Sequence, residues 1–183
     1  MWIFAIVIAV LIVLTIGIYN GLVTLKNQVK NAYAQIEVQL KRRHDLIPNL
    51  VESVKGYMSH EAQTLENVTK ARLSASHFSQ NAKEQAAREN ALSGALKSLF
   101  ALSENYPDLK ANQNFLALQE ELTATENKIS FARQFYNDSV MEYNTKKEVF
   151  PNNLITGMFN FPNFEMFEIA DVEERRAVKV NFN

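Results

Sequence analysis

Residues 29–57 read VKNAYAQIEVQLKRRHDLIPNLVESVKGY, and apolar side chains recur in this stretch every seven residues. One row consists of Tyr33, Leu40, Ile47 and Val54, and a second consists of Val29, Ile36, Leu50 and Tyr57. Rows with this offset form a single apolar seam along a helix, with a repeat near 3.5 residues. Arg43 interrupts the second row. The seam reappears at Val68 and Ala75, so it predicts one long helix to about Ser76, or two helices joined end to end.

Two further helices are predicted beyond the seam. The first runs from about Lys83 to Asn105, and Tyr106-Pro107-Asp108 forms a turn after it. Its inner positions are small or aliphatic: Ala87, Ala91, Leu92, Ala95, Leu96, Leu99 and Leu102. The second runs from about Asn112 to Glu148. Its inner positions are Phe115, Leu118, Leu122, Ile129, Ala132, Phe135 or Tyr136, Val140 and Tyr143. Long amphipathic helices with tight links predict an all-α, antiparallel, up-and-down bundle.

Residues 1–25 carry no charged side chain, and Lys26 is the first. About 20 residues that rise about 1.5 Å each cross a hydrocarbon core of about 30 Å. No basic residue precedes the run, no small-x-small cleavage site follows it, and the chain has no cysteine for lipid attachment. The run therefore predicts an uncleaved transmembrane helix that continues into the bundle. We assign residues 1–25 to this anchor, 26–148 to the bundle and 149–183 to a Phe-rich C-terminal segment.

The positive charges after the anchor predict on which side of the membrane the bundle lies. Lys26, Lys30 and the run 41–43 all come after the anchor, so the positive-inside rule favours a cytoplasmic bundle. The formal net charge of −1 argues against a nucleic-acid partner, which requires a concentrated basic field.

The C-terminal segment has a different composition. It holds five of the twelve phenylalanines within a short stretch: Phe150, Phe159, Phe161, Phe164 and Phe167. Pro151 and Pro162 interrupt it, which predicts short helical turns packed on the bundle. The segment either caps the core or presents apolar surface to lipid or to a neighbouring subunit. Alternation in 178–182 predicts a short extended tail.

Two patterns point to binding. Ala5, Ala9, Val13, Gly17 and Gly21 stand four residues apart in the anchor, and small residues at this spacing let helices approach closely in lipid. It predicts self-association, hence a homo-oligomer. The charged run Lys41, Arg42, Arg43, His44 and Asp45 is a candidate surface for an anionic partner. The alternatives are ion pairs with Glu120, Glu121 or Glu126, or a solvated helix face of weak pairs.

Pro48 lies inside the seam. Proline has no N–H, and its ring crowds the carbonyl four residues earlier, that of His44. Because the seam keeps its phase on both sides, we predict a kink and not a helix end.

No catalytic set is visible in the sequence. The three histidines, His44, His60 and His77, lack a glutamate three residues before them, and a His-Glu-x-x-His pair is absent. The sequence also lacks cysteine, a glycine-rich phosphate loop and a Gly-x-Ser-x-Gly elbow. We therefore expect no enzyme activity, no metal and no cofactor.

Several motifs resemble the LemA family of bacterial membrane-associated proteins. They include YNGLVTL at 19–25, QIEVQLKRRHDLIPNLVE at 35–52 and LFALSENYPDLK at 99–110. The resemblance implies a short amino-terminal segment, one anchor, an up-and-down helical bundle and location at the bacterial inner membrane. Lipoprotein relatives would face outward, which keeps a periplasmic or extracellular bundle open. The family supplies no catalytic residues.

These observations predict a non-enzymatic, single-pass membrane protein that self-associates or scaffolds partners at the bacterial membrane. Its expected partners are the lipid bilayer, further copies of itself and other membrane or envelope proteins. The alternative is a signalling or envelope-stress adaptor that transmits through the kinked first helix.

Overall fold

The computed structural model describes residues 1–79 and 81–167, and every regular element within those ranges is a helix. The helices are α1 (Trp2–Lys55), α2 (Ala62–Ser76), α3 (Ala82–Ser103), α4 (Pro107–Lys110), α5 (Gln113–Glu148) and α6 (Asn152–Met158). The predicted all-α class is confirmed, and α3 and α5 begin and end within two residues of their predicted bounds. The extended tail predicted at 178–182 lies outside the described residues.

The chain divides into two compact units. Of the described residues, 1–40 and 126–166 form unit 1, and 41–125 together with Phe167 form unit 2. Helices α1 and α5 each contribute to both units.

In unit 2 the predicted end-to-end continuation of the seam is wrong, because the chain turns back between α1 and α2. The Met58 N–H donates to the Val54 carbonyl at 2.9 Å, and the Glu61 N–H donates to the Met58 carbonyl at 3.0 Å. Arg72 of α2 consequently lies beside His44 of α1. Val68 and Ala75 are buried, as the seam requires, but on a helix that folds back.

Unit 2 is an antiparallel helical bundle. Arg42 of α1 pairs with Glu121 of α5, and Asn112, just before α5, donates to the hydroxyl of Tyr57, just after α1. Tyr106, just after α3, donates to Glu61, just before α2. The core contains Ile47, Leu50, Val54, Met58, Val68, Ala75, Leu92, Leu96, Leu99, Leu109, Phe115 and Leu122. Two of the predicted inner alanines, Ala87 and Ala91, are exposed, and Ala86 is buried instead. The buried face of α3 therefore includes Ala86 and does not include Ala87 or Ala91.

In unit 1, α1 and α5 also run antiparallel. The rings of Tyr33 and Tyr136 are 5.5 Å apart, and those of Tyr19 and Phe161 are 5.7 Å apart. After α6 the chain returns along α5, where the Tyr143 hydroxyl donates to the Pro162 carbonyl at 2.9 Å. The core contains Leu22, Val29, Ala32, Ile36, Leu40, Ile129, Tyr136, Val140, Tyr143, Ile155 and Phe161.

The first part of α1 has no covering from the described chain. Every residue from Trp2 to Leu14 is exposed, and Leu22 is the first buried residue. Among the described helices, α1 is the one that is long and apolar enough to cross a membrane.

Candidate functional site

The small residues of the anchor lie on open helix surface. Ala5, Ala9, Gly17 and Gly21 are exposed, and a Cβ added at either glycine would meet no described atom within 4 Å. A neighbouring helix could therefore approach the backbone there. Self-association through these positions stays a prediction.

The charged run at 41–45 does not form a single surface. Lys41 and Asp45 are exposed and pair with each other at 3.0 Å, and Arg42 Nη2 lies 2.7 Å from Glu121 Oε1. Arg43 and His44, however, are only 1% and 3% exposed. The candidate partner surface is thus wrong for these two residues. Arg43 stands in the seam row between Ile36 and Leu50, so its side chain is buried on the same face of α1 as theirs.

The buried pair meets Glu89 of α3, which is fully buried. Arg43 Nη2 donates to Glu89 Oε2 in a very short ion pair, and Nη1 donates to Ser93 Oγ at 2.9 Å. His44 Nε2 lies 2.9 Å from Glu89 Oε1. An ionised carboxylate only accepts hydrogen bonds, so Nε2 carries the proton in this arrangement.

Gln85 completes the network from one turn earlier on α3. Its Nε2 donates to Glu89 Oε1 at 2.9 Å and to the Ala75 carbonyl at 3.1 Å, near the end of α2. Its Oε1 accepts the Ser79 N–H at 3.0 Å. We call Arg43, His44, Gln85, Glu89 and Ser93 the Glu89 network.

The electrostatics favour a charged Glu89. Burial alone would raise the pKa of this carboxyl, but the hydrogen bond from His44 and the positive charge of Arg43 outweigh burial and lower the pKa below its ordinary 4.5. Glu89 is consequently ionised at neutral pH and compensates the buried charge of Arg43.

A second contact joins the backbone of His44 to α2. Pro48 has no N–H to give to the His44 carbonyl, so the helix leaves this oxygen without its usual donor. Arg72 Nε donates to it at 2.7 Å. Helix α1 continues through Pro48 to Lys55, and the kink predicted there stays a prediction.

The Glu89 network is suited to positioning helices. Glu89 Oε1 accepts from His44 and Gln85, while Oε2 accepts from Arg43, so the carboxylate is fully engaged by side chains from two helices. The Phe78 ring lies 5.7 Å from the His44 ring. Within residues 1–79 and 81–167 no group of three His, Cys, Asp or Glu could hold a metal ion.

The spacing of residues along α3 is a sequence signal for the burial of Glu89, which the sequence-based predictions do not include. On α3 the buried positions are spaced by threes and fours: Ala82, Gln85, Glu89, Leu92, Leu96 and Leu99. Glu89 therefore stands in the apolar row of α3, as Arg43 stands in that of α1. A base and an acid in core rows of two helices of one bundle predict a buried pair.

Unit 1 contains an open groove of about 440 Å³ between α1 and α5. Its walls are Gln35, Val38 and Gln39 on α1 and Lys128, Phe131, Ala132 and Phe135 on α5. Phe131 is 73% exposed. No titratable network comparable to that of Glu89 lines these walls in the described structure.

Comparison with known proteins agrees with the sequence motifs. The model of the LemA family matches residues 32–182. Protein LemA from Metamycoplasma hominis is 28% identical over 172 residues, which covers 88% of this chain and 77% of the relative.

Proposed function

Because the chain belongs to the LemA family, we propose that it is a non-enzymatic, single-pass membrane protein that self-associates or scaffolds other proteins at a bacterial membrane. The anchor is residues 1–25. The bundle lies on the cytoplasmic side, as the lysines after the anchor favour.

One observation carries this proposal, namely the exposed apolar surface of α1. From Trp2 to Leu14 every side chain is exposed, and none of the apolar window of this helix is buried by the protein. Water-soluble proteins rarely expose continuous apolar surface of this size. A lipid bilayer covers such a surface, and the helix satisfies its own backbone hydrogen bonds there.

The buried position of Glu89 supports the proposal that the protein is not an enzyme. Catalytic groups must reach a substrate, whereas both oxygens of Glu89 are held by neighbouring side chains in a fully buried position.

Anchoring is tested with charges placed in the span. Ile8→Lys combined with Leu11→Lys should release the protein from carbonate-washed membranes, because each lysine at the centre of a membrane helix costs about 2.5–3.5 kcal/mol. Val38→Lys is the matched control, since Val38 is also an exposed apolar residue of α1 but lies beyond the first charge. Retention of the doubly substituted protein in the washed membrane would contradict the proposed anchor.

The hydrogen bond from Arg72 to the His44 carbonyl, one turn before Pro48, favours a second function. This is a signalling or envelope-stress adaptor that transmits through α1. Because Arg72 of α2 donates a hydrogen bond to the His44 carbonyl of α1, a change in the local geometry of α1 should also change the position of α2. Pro48→Ala should then alter the response of cells that depend on this protein. Full complementation by this variant would contradict the adaptor function.

A further inference from the structure

The segment that follows α5 presents a charge-free apolar face. Residues 149–164 contain no charged side chain. Phe150, Leu154 and Met158 recur every four residues, and they are 79%, 59% and 76% exposed. Val149 and Phe159 beside them are also exposed apolar residues. We call the surface formed by Val149, Phe150, Leu154, Met158 and Phe159 the α6 face.

The opposite side of α6 is held against α5. Asn152 is buried, and its Nδ2 donates to the Lys146 carbonyl at 2.8 Å. Ile155 is buried in the core of unit 1. The Thr156 hydroxyl donates to the Lys147 carbonyl at 3.3 Å. The exposure of Phe150, Leu154 and Met158 is therefore the outward side of a docked helix and not the result of a loose end.

Aromatic contacts fix the level of the α6 face along α1. The Phe159 ring lies 5.0 Å from the Tyr19 ring, edge to face. Tyr19 is about 26 Å along the helix from Trp2, at about 1.5 Å per residue. The hydrocarbon core of a bilayer is about 30 Å thick, and the first charge, Lys26, follows about 10 Å after Tyr19. With the proposed anchor set across this core from Trp2, Phe159 would lie at the boundary between acyl chains and headgroups.

We propose that the α6 face inserts into the headgroup–acyl boundary of the same bilayer that the anchor crosses, as a second, interfacial membrane contact. This inference rests on the proposed function, because the level of Tyr19 is set by the anchor. Exposed aromatic and aliphatic side chains without charges match the chemistry of this boundary, where apolar groups enter the outer part of the acyl region. Lipid is the chosen occupant because the face adjoins the anchor directly.

The absence of cysteine from the chain allows a direct test with single labelled sites. Phe150→Cys, Ile8→Cys and Phe131→Cys are each labelled with an environment-sensitive fluorophore in the full chain. The proteins are reconstituted in phosphatidylcholine–phosphatidylglycerol vesicles that contain lipids with a nitroxide near the headgroup or, in a second series, deep in the acyl chain. Phe131 is the matched control, because it is an equally exposed phenylalanine of unit 1 that shares a groove with Val38. Val38 is about 28 Å beyond Tyr19 along α1.

The proposal expects the headgroup nitroxide to quench the label at position 150 severalfold more than the label at 131, and the acyl-chain nitroxide to quench the label at 8. Quenching at 8 without quenching at 150 would overturn the interfacial contact and leave the anchor intact. No quenching at either site would instead reject the anchor. Energy transfer between labels at 150 on different copies, without lipid quenching, would assign the face to a second copy and also overturn the proposal. Leu154→Cys repeats the test in case Phe150→Cys disturbs folding.

Discussion

At the scale of single residues, the Glu89 network places an ion pair where the sequence pattern expects apolar side chains. Removing two charges from water costs several kcal/mol per ion, which their attraction and hydrogen bonds must offset. Such a pair contributes little net stability compared with an apolar core, but it penalises any arrangement that separates its members. Arg43 and Glu89 therefore make one relative position of α1 and α3 favourable.

Replacing Glu89 with glutamine tests this penalty. Glu89→Gln leaves the buried charge of Arg43 without its anion, so the free energy of unfolding should fall by about 3–5 kcal/mol. Urea unfolding of the full chain in detergent, followed by circular dichroism, measures the change. Glu121→Gln is the control, because Glu121 forms the exposed pair with Arg42, and its loss should cost about 0–1 kcal/mol. Equal effects of the two variants would show that the Glu89 network does not carry a buried charge.

The lowered pKa of Glu89 predicts a pH dependence with a definite sign. Since the folded pKa lies below the ordinary 4.5, the carboxylate stabilises the folded state above 4.5, and this contribution is lost as the pH falls through the folded pKa. The gap in unfolding free energy between the parent protein and Glu89→Gln should thus be constant near neutral pH and close below pH 4.5. Unfolding curves measured from pH 7 to pH 3 check this, and a gap that persists at the acid end would contradict it.

At the scale of helices, Pro48 explains why the His44 carbonyl is free to accept a hydrogen bond from Arg72. The proline deprives the His44 carbonyl of its helical donor, and the guanidinium of α2 replaces it at 2.7 Å. The carbonyl of His44 thereby becomes an attachment point between α1 and α2. The side chain of His44 joins Glu89 at the same level, so one residue of α1 is tied to both α2 and α3.

A double-mutant cycle tests the exchange of donors. Arg72→Ala should cost about 1–3 kcal/mol in the presence of Pro48, because the partly buried carbonyl loses its partner. In a Pro48→Ala background the restored N–H of residue 48 can serve His44, so Arg72→Ala should cost about 1 kcal/mol less. The urea midpoints of the four proteins give the coupling. Additive effects would mean that Arg72 does not substitute for the missing helical donor.

The sequence predicts the bounds of α3 and α5 more accurately than the turn between α1 and α2. Residues 83–105 and 112–148 have clear boundaries, at Asn81, which caps α3, and at Pro107 and Pro151. The turn at 56–61 has only Gly56 as a breaker, and the seam is in phase on both sides of it. A helix that continues and one that folds back both bury Val68 and Ala75, so periodicity does not distinguish them. Tertiary contacts such as that of Arg72 make the difference.

At the scale of the whole molecule, the exposed surfaces indicate membrane function, and the buried polar groups do not. The sequence predicts the anchor from an apolar, charge-free run, and the structure has a helix there that is long and apolar enough to cross a membrane. It left the Phe-rich segment open between core and surface. The structure divides this segment: Phe161 and Phe167 are buried and Phe150 is exposed, while within α6 Ile155 is buried and Leu154 is exposed.

Self-association of the anchor depends on close approach at the glycines. Gly17→Leu fills space that is open beside the helix, so it should weaken association of the full chain in vesicles by about tenfold, or about 1.4 kcal/mol. Energy transfer between labelled copies at decreasing protein-to-lipid ratios measures this. Phe4→Leu, about 140° around the helix from Gly17 and about 100° from Ala5 and Gly21, is the control and should leave association unchanged. Unaltered energy transfer for Gly17→Leu would exclude the small-residue face as the contact.

The compartment of the bundle determines which partners a scaffold could meet. Lys26 and Lys30 follow the anchor directly, so a cytoplasmic bundle is expected from the excess of positive charge on that side. In a chain without cysteine, Ala91→Cys on the exposed side of α3 should react with a membrane-impermeant maleimide only after the cells are permeabilised. Trp2→Cys, at the other end of the span, should react in intact cells and serves as the control. Labelling of Ala91→Cys in intact cells would reverse the orientation, and it would direct the search for partners to proteins outside the cytoplasm.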